Sequence, residues 1–391
     1  MQLTTKQLEG LAIALKRYQE HEKCTVISGY AGSGKSTLVK FIVSALPVTE
    51  DEVCYATFTG KAAQVLLKKG NRNVCTLHKL LYKSVLQPDG KYLHMPVREI
   101  DYSIVIVDEC SMAPKQLVNL LLSHDCYVIF LGDPGQLPPI NPEDDNHLLD
   151  APHVFLDEIM RQALDSEIIR LSMDIREGKP LELMDGKDVK VIDREDLVNG
   201  MYLWADQIIC AKNETRISIN KEMRELLGRE GAPQDGDKVI CLKNYWETMA
   251  DNQDPLINGT IGYLQNPYST FARYPYYING GGSIDILRAN FVSDSDANFG
   301  ILNMDKKLIM DGTRGLDWKT EYALMKSKKF CHMVPMEFTY GYAITCHKAQ
   351  GSSWEKILVI EENFPFQKAD HARWLYTACT RAEKRLVIVR K

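Results

Sequence analysis

The glycine-rich turn Gly29-Tyr30-Ala31-Gly32-Ser33-Gly34-Lys35-Ser36 constrains the fold more than any other stretch of the chain. Its pattern, GxxxxGK[ST], lets successive backbone N–H groups face one anion, because glycine accepts the backbone angles that such a cradle requires. The context gives the match its weight. Thr25 to Ser28 reads as a buried strand and Lys35 to Leu46 as a helix, so the helix N-terminus adds its positive end to the same anion site. The turn therefore predicts a nucleoside triphosphate held by Gly29, Ala31, Gly32, Ser33, Gly34, Lys35, Ser36 and Thr37. Lys35 would sit at the β- and γ-phosphates, and the Ser36 hydroxyl on Mg²⁺.

Further runs extend this start into a sheet. Val53 to Ala56, Ile104 to Val107 and Val128 to Leu131 are apolar throughout, and they alternate with helix-like stretches at Gly60 to Lys69 and Pro114 to Ser123. Strands this apolar suit a parallel sheet covered on both faces, with right-handed βα connections. A second α/β pattern begins near Gln207 to Ala211, breaks off, and resumes with Ile357 to Ile360, a helix around His371 to Thr380 and a strand at Leu386 to Val389. The stretch between, roughly 240 to 335, is rich in Asn, Gly, Tyr and Pro, and it includes Asn258-Gly259 and Gly280-Gly281-Gly282. Those turn signals predict a small β domain. Leu86 to Met95, with Pro88-Asp89-Gly90 inside it, predicts a two-stranded hairpin on the first lobe.

Composition excludes several classes. A chain of 391 residues suits two or three domains, and 45% hydrophobic with 25% charged residues is ordinary globular usage, which argues against disorder. No stretch approaches the length needed to span a bilayer, and the first residues lack a leader pattern. Ten cysteines show no CxxC pair and no zinc spacing, and Cys24, Cys54 and Cys126 lie in or beside apolar runs. They read as buried reduced thiols, which places the chain in a reducing cytoplasm without membrane contact. The formal charge of −5 means that any nucleic-acid contact must rest on local groups.

The strand Ile104 to Val107 delivers Asp108-Glu109 to its end. An Asp-Glu pair is ordinarily a solvated surface, but after a buried strand and beside the phosphate loop Asp108 is expected to hold Mg²⁺ and Glu109 to polarise the attacking water. Gly132-Asp133-Pro134-Gly135-Gln136-Leu137-Pro138-Pro139 also follows a strand, and so stiff a turn can fix Gln136 against the γ-phosphate or be only a rigid surface loop. Thr345, His347, Lys348 and Ser352, in the polar block Tyr342 to Ser353, suit phosphate contacts that carry no sequence information. Gln350 is a candidate link from that block to the nucleotide.

These blocks in this order, with Ala56 to Ala63, Thr76-Leu77-His78, Arg161 and Tyr376 to Arg381, resemble superfamily 1B DNA helicases of the RecD/Dda-like branch over nearly the whole chain. The resemblance implies an α/β protein with two RecA-like P-loop NTPase lobes and ATP between them. The first would be residues 1–150, with a hairpin wedge at about 84–100. The second would be 151–240 with 336–391, interrupted by an SH3-like β insertion at 241–335.

By the same resemblance Gln7 reads the adenine edge, Arg161 and Arg381 reach the γ-phosphate, and Lys35, Glu109 and Gln136 complete the catalytic set. Phe58, Thr59, Lys61, Thr76, His78 and Asn213 join the block from Thr345 as nucleic-acid contacts. Gln7 could equally be an exposed helix residue. Phe58 stands where the family usually has proline, and it could stack on a base or belong to the core. Tyr263, Tyr268, Phe271, Arg273, Tyr274, Tyr276 and Tyr277 read as core of the inserted domain in preference to a stacking surface.

The implied activity is an ATP-dependent DNA helicase moving 5′ to 3′ on single strands, in replication, recombination or repair. Its partners would be single-stranded DNA and forks, with single-strand-binding or replisome proteins, and it would act as a monomer. The compact size resembles phage-encoded members, hence the cytoplasm of a host bacterium. An RNA motor, a translocase without strand separation and a P-loop phosphotransferase stand as alternatives, and a scaffold with a decayed nucleotide site is disfavoured because the chemical residues are all present.

Overall fold

The computed structural model describes residues 3–86, 92–139, 141–252, 255–365 and 367–391. Helix α1 (Thr5–Gln19) opens on a capping box in which the Thr4 side chain accepts from the Gln7 backbone and the Gln7 side chain accepts from the Thr4 backbone. There follow β1 (Cys24–Gly29), α2 (Lys35–Ala45), β2 (Val53–Thr57), α3 (Gly60–Lys68), β3 (Val74–Thr76) and α4 (Leu77–Leu81). Next come β4 (Tyr82–Leu86), β5 (Tyr92–Pro96), β6 (Ile104–Asp108), α5 (Lys115–Leu122), β7 (Tyr127–Gly132) and β8 (Val154–Leu156).

Six of these strands form one sheet in the order β3-β2-β6-β7-β1-β8, parallel throughout. Alternate residues of each strand supply opposite faces. Ile104, Ile106, Ile129 and Leu131 pack with Leu38, Val39 and Ile42 of α2, while Val105, Val107, Val128 and Phe130 pack with Leu77, Leu81, Leu117 and Leu121 from α4 and α5. Each such side chain contributes about 1.5–3 kcal/mol on burial. The four strands and three helices expected here are present, with ends within a residue of the reading.

β4 and β5 pair as a separate two-stranded sheet, so the expected hairpin has its strands, while its turn, Pro88-Asp89-Gly90 included, lies outside the described residues.

The chain continues with α6 (Arg161–Leu164), α7 (Glu167–Arg176), β9 (Met184–Asp185), β10 (Val189–Ile192), α8 (Asn199–Trp204) and β11 (Gln207–Cys210). After an excursion it returns with β19 (Ala343–Thr345), α12 (Cys346–Ala349), β20 (Trp354–Ile360), α13 (Lys368–Cys379) and β21 (Ala382–Val389). The second sheet has the order β19-β11-β20-β21-β10-β9; β11, β20, β21 and β10 run parallel and β9 is antiparallel at the edge. The first sheet and β9, β10, β11, β20 and β21 of the second belong to one compact unit, Met1–Ser84, His94–Ala211 and Thr345–Lys391, with β19 at its boundary.

The second unit, Val85–Leu93 and Lys212–Ile344, holds the excursion. It comprises α9 (Asn213–Leu226), β12 (Lys238–Cys241), β13 (Tyr245–Met249), β14 (Pro255–Leu256), β15 (Ile261–Tyr274), β16 (Gly282–Ser293), β17 (Asn298–Asp305), α10 (Lys306–Asp311), α11 (Trp318–Lys326) and β18 (Phe338–Tyr340). Five strands make an antiparallel sheet, β17-β16-β15-β12-β18. Fully buried Asp237 is answered by Arg224 and Arg229, each at 3.3 Å, and by the Tyr342 hydroxyl at 2.8 Å.

The second unit carries the helices α10 and α11, which its turn-rich composition concealed. Two expectations need correction. The insertion's tyrosines are not core: Tyr263, Tyr268, Phe271, Tyr276 and Tyr277 are exposed, and the tip of the sheet is filled by Ile278, Ile284, Ile286, Leu316, Leu324 and Phe330, with Tyr274 half-buried against them. The cysteines are all free, but Cys331 is exposed and Cys24 and Cys75 are only half-buried. No described helix is long and apolar enough to cross a membrane.

Candidate functional site

β1 ends at Gly29 and α2 begins at Lys35, so the loop between them lies at the carboxyl edge of the first sheet, where parallel α/β sheets place ligands. Gly32 (φ +78°) and Gly34 (φ +80°) take left-handed conformations, and a Cβ on Gly32 would meet Ala163 at 2.9 Å. Lys35 Nζ donates to the carbonyl oxygens of Gly29 (2.6 Å) and Tyr30 (3.0 Å), which holds the ammonium within the turn. The Ser33 hydroxyl is buried without a partner. An orphaned polar group inside a loop of this form fits a ligand rich in acceptors.

Gln7 is not the exposed helix residue that sequence left open. It is 1% exposed, and its carboxamide nitrogen lies 3.4 Å from the carbonyl oxygens of Ser33 and Gly34 and 3.6 Å from Met160 Sδ. Its amide oxygen already accepts from Thr4 N at 3.0 Å, so capping α1 and flanking the phosphate loop are two uses of one side chain.

Asp108 closes β6, and Glu109 follows in a left-handed backbone conformation (φ 52°) that breaks the strand. Burial pushes the Asp108 carboxyl above its ordinary range; the Glu109 charge adds to that rise and Lys35 opposes it. Asp133, at the end of β7, is likewise raised by burial and opposed by Lys35. Lys35 thus acts on both carboxyls from the phosphate loop.

Side chains from the second sheet complete the cluster. Arg381, 6% exposed, places Nη1 3.6 Å from Glu109 Oε1. With its amide turned so that nitrogen faces the carboxylate, Gln136 donates to Glu109 Oε2 at 3.2 Å and accepts from Arg381 Nη2 at 3.1 Å. Three of the expected catalytic residues therefore form one chain of contacts. Arg161 starts α6, but its side chain lies outside the described residues.

Tyr376, which sequence reading included only as the edge of a motif, also reaches across to the first sheet. Its hydroxyl accepts from Ala31 N at 2.8 Å and donates to Asp133 Oδ2 at 2.6 Å, so α13 is tied at once to the phosphate loop and to the Gly132–Pro139 turn. Burial, followed by the Asp133 charge, raises this phenol above the ordinary tyrosine range, so it stays protonated and keeps donating. Arg176 of α7 was also missed: its guanidinium lies 3.6 Å over the Tyr30 ring, and Nη1 is buried without a partner. Nothing local to either residue signals these contacts.

The polar block after β19 is joined to the same turn. Gln350 Nε2 donates to the Leu137 carbonyl at 2.8 Å, and Leu137 N donates to Thr377 Oγ1 at 2.9 Å. On the first sheet Thr59 caps α3 and Thr76 caps α4, giving both hydroxyls structural partners. Lys61 Nζ lies 4.3 Å over the Trp354 ring, and a Cβ on Gly351 would meet Thr59 Oγ1 at 2.8 Å, so these candidates from the two sheets lie side by side. Phe58 is half-buried with its ring 5.8 Å from His78, packed at the margin of the core. Thr345, His347 and Lys348 are half-buried and Ser352 is buried. Burial lowers the His347 pKa, which favours a neutral imidazole. Asn213 begins α9 in the second unit, where its Oδ1 accepts from Arg216 Nε at 3.3 Å.

Comparison with known proteins agrees with this architecture. A family model described as an AAA domain matches residues 2–200, and one described as a UvrD-like helicase C-terminal domain matches residues 340–389. The chain belongs to the AAA-domain family, whose model covers half of it. The ATP-dependent RecD2 DNA helicase of Deinococcus radiodurans is 26% identical over 93% of this chain and 46% of its own length. The ATP-dependent DNA helicase dda of Enterobacteria phage T4 is 29% identical over 74% of this chain and 69% of its own. The chain thus spans about half to two thirds of these curated relatives. A Bacteroides Pif1 helicase solved with ADP-AlF3 and single-stranded DNA shares the fold, with a TM-score of 0.51, 19% identity, and coverage of 100% of this chain and 92% of that one.

Proposed function

We propose that this chain is an ATP-dependent DNA helicase that moves 5′ to 3′ on single-stranded DNA and separates duplex at forks. The observation that carries the reading is the contact chain Glu109–Gln136–Arg381, with Tyr376 on Ala31 and Gln350 on Leu137. It joins the groups suited to hydrolysis to the block suited to gripping a strand.

In this reading the loop Gly29 to Ser36 and Thr37 binds the triphosphate and Gln7 meets the adenine edge. Ser36 and Asp108 would hold Mg²⁺, which when bound offsets phosphate charge. Glu109 orients the attacking water, with Gln136 holding that carboxylate, and Arg381 with Arg161 reaches the γ-phosphate. An arginine in that role supplies about 4–7 kcal/mol, and only when both sheets close on the nucleotide. The dependence converts hydrolysis into relative movement. Phe58, Thr59, Lys61, Thr76, His78, Asn213, Thr345, His347, Lys348 and Ser352 are the proposed strand contacts, backbone-directed and therefore indifferent to sequence. A duplex step costs about 1.4 kcal/mol, well within one ATP.

The test is ATP-dependent separation of two partial duplexes, one with a 5′ tail and one with a 3′ tail, beside Lys35→Ala. Separation of the 5′-tailed duplex alone, abolished in Lys35→Ala, is the expected result. A 3′ preference would overturn the polarity, and hydrolysis without separation would leave a translocase. Replacing residues 86–95 with a short Gly-Ser turn should abolish separation while sparing DNA-stimulated hydrolysis, and normal unwinding by that variant would remove the hairpin as wedge.

A further inference from the structure

Helix α11 in the second unit has two unlike faces. Thr320 and Leu324 are buried, and Leu324 joins Leu316, Phe330 and the isoleucines of the β15–β16 tip in one apolar cluster. The opposite face carries Trp318 (70% exposed), Tyr322 (54%) and Met325 (53%) at positions i, i+4 and i+7, one helical stripe open to solvent. Large exposed aromatics on a single stripe are unusual on a surface that covers nothing.

The charge around the stripe is one-sided. Residues 306–333 hold seven lysines and arginines against three carboxylates, in a chain whose formal charge is −5. Two of those carboxylates are committed. Asp317 caps α11 through Lys319 N and Thr320 N, and Glu321 pairs with Lys243 and Arg314, each at 3.4 Å. Among the described residues Lys319, Lys326, Lys328 and Lys329 have no carboxylate within ion-pair distance. Three of them lie over rings: Lys319 over Trp318 at 5.8 Å, Lys326 over Tyr322 at 4.3 Å and Lys329 over Phe330 at 5.4 Å. Exposed Tyr277 extends the aromatic surface, its ring 6.2 Å from that of Phe330.

We propose that the outer face of α11 with the Lys328–Lys329 segment is a second binding surface for single-stranded nucleic acid, separate from the residues that serve the motor. Lysines without acidic partners attract phosphates by releasing counterions, and Trp318 and Tyr322 offer flat faces to unpaired bases. The combination selects a strand with accessible bases over a duplex, whose bases are stacked on one another, and an acidic peptide would leave the ring faces unused. The surface would keep a strand near the protein while the motor core cycles. This inference rests on the nucleic-acid reading above only for its purpose.

The experiment uses the full chain and a triple variant, Lys319→Glu/Lys326→Glu/Lys329→Glu, with all three positions exposed so that folding is unaffected. Anisotropy of labelled oligothymidylate against salt should show the variant binding about tenfold more weakly at low salt, with the salt slope reduced by about two. A second variant, Trp318→Ala, should weaken binding to oligothymidylate and leave binding to an abasic strand of equal length unchanged. Hydrolysis at saturating DNA should match the unaltered chain in both. Unchanged affinity and slope in the triple variant would overturn the proposal, as would a loss confined to duplex. Failure of the unaltered chain to bind any DNA would instead reject the helicase reading.

Discussion

The two parallel sheets of the first unit present their chemistry in opposite ways. The first, β3-β2-β6-β7-β1-β8, builds its site from contiguous sequence: the loop from Gly29 to Ser36 leaves one strand and Asp108-Glu109 another. The second contributes isolated side chains, Tyr376 and Arg381 on or beside one helix end and Gln350 after another, each reaching across to the first sheet. A site made of local backbone persists when its partner moves away, whereas one made of reaching side chains exists only while the sheets are together. The first sheet therefore suits binding and the second suits sensing and triggering.

That contrast can be broken by substitution. Arg381→Ala should lower DNA-stimulated ATP turnover by about 10³–10⁵ while leaving nucleotide affinity within a few-fold, because its partners on the first sheet's side are Glu109 and Gln136 and neither is in the phosphate loop. Steady-state hydrolysis with direct titration of a labelled nucleotide separates the two, and a fall of less than tenfold in turnover would refute the division.

Tyr376→Phe keeps the ring, which is buried, and strips the hydroxyl that serves both Ala31 and Asp133. Leaving buried Asp133 and half-buried Ala31 each without this partner costs about 1–3 kcal/mol, so the expected result is a roughly tenfold weaker coupling between DNA binding and hydrolysis. The comparison to make is the ratio of DNA-stimulated to basal turnover, and an unchanged ratio would reduce Tyr376 to packing.

The smallest effect concerns His347, whose folded pKa lies below its unfolded value because the ring is buried. Stability from the neutral ring is present above the ordinary histidine range, and it is lost as pH falls through that range toward the lower folded value. Thermal melts should drop by about a degree or two across that window and should flatten in His347→Gln. A melt that rises on acidification would reverse the assignment.

How much of this was legible in advance follows the same division. The apolar strands of the first sheet announced themselves because both faces are buried, and the phosphate loop because its glycines perform a local backbone task. The insertion was legible only as turns: Asn258-Gly259 and the glycines at 280–282 gave its hairpins away, but α11 has a single narrow buried edge and its tyrosines face outward, so composition pointed the wrong way about the core. Gln7 was visible as a residue, but not its burial against Ser33 and Gly34, which takes the packing of α1 on the loop.

Sequence by itself determined the parallel sheets, the anion cradle and the carboxylate pair at the end of β6, since each follows from spacing along a short stretch of chain. Only the tertiary structure decided that the Tyr376 hydroxyl meets Ala31, that Arg381 faces Glu109, and that four lysines and two aromatics share an open face. Those contacts join residues up to hundreds of positions apart, and no local pattern encodes which side chains two separately folded surfaces will bring within hydrogen-bond reach.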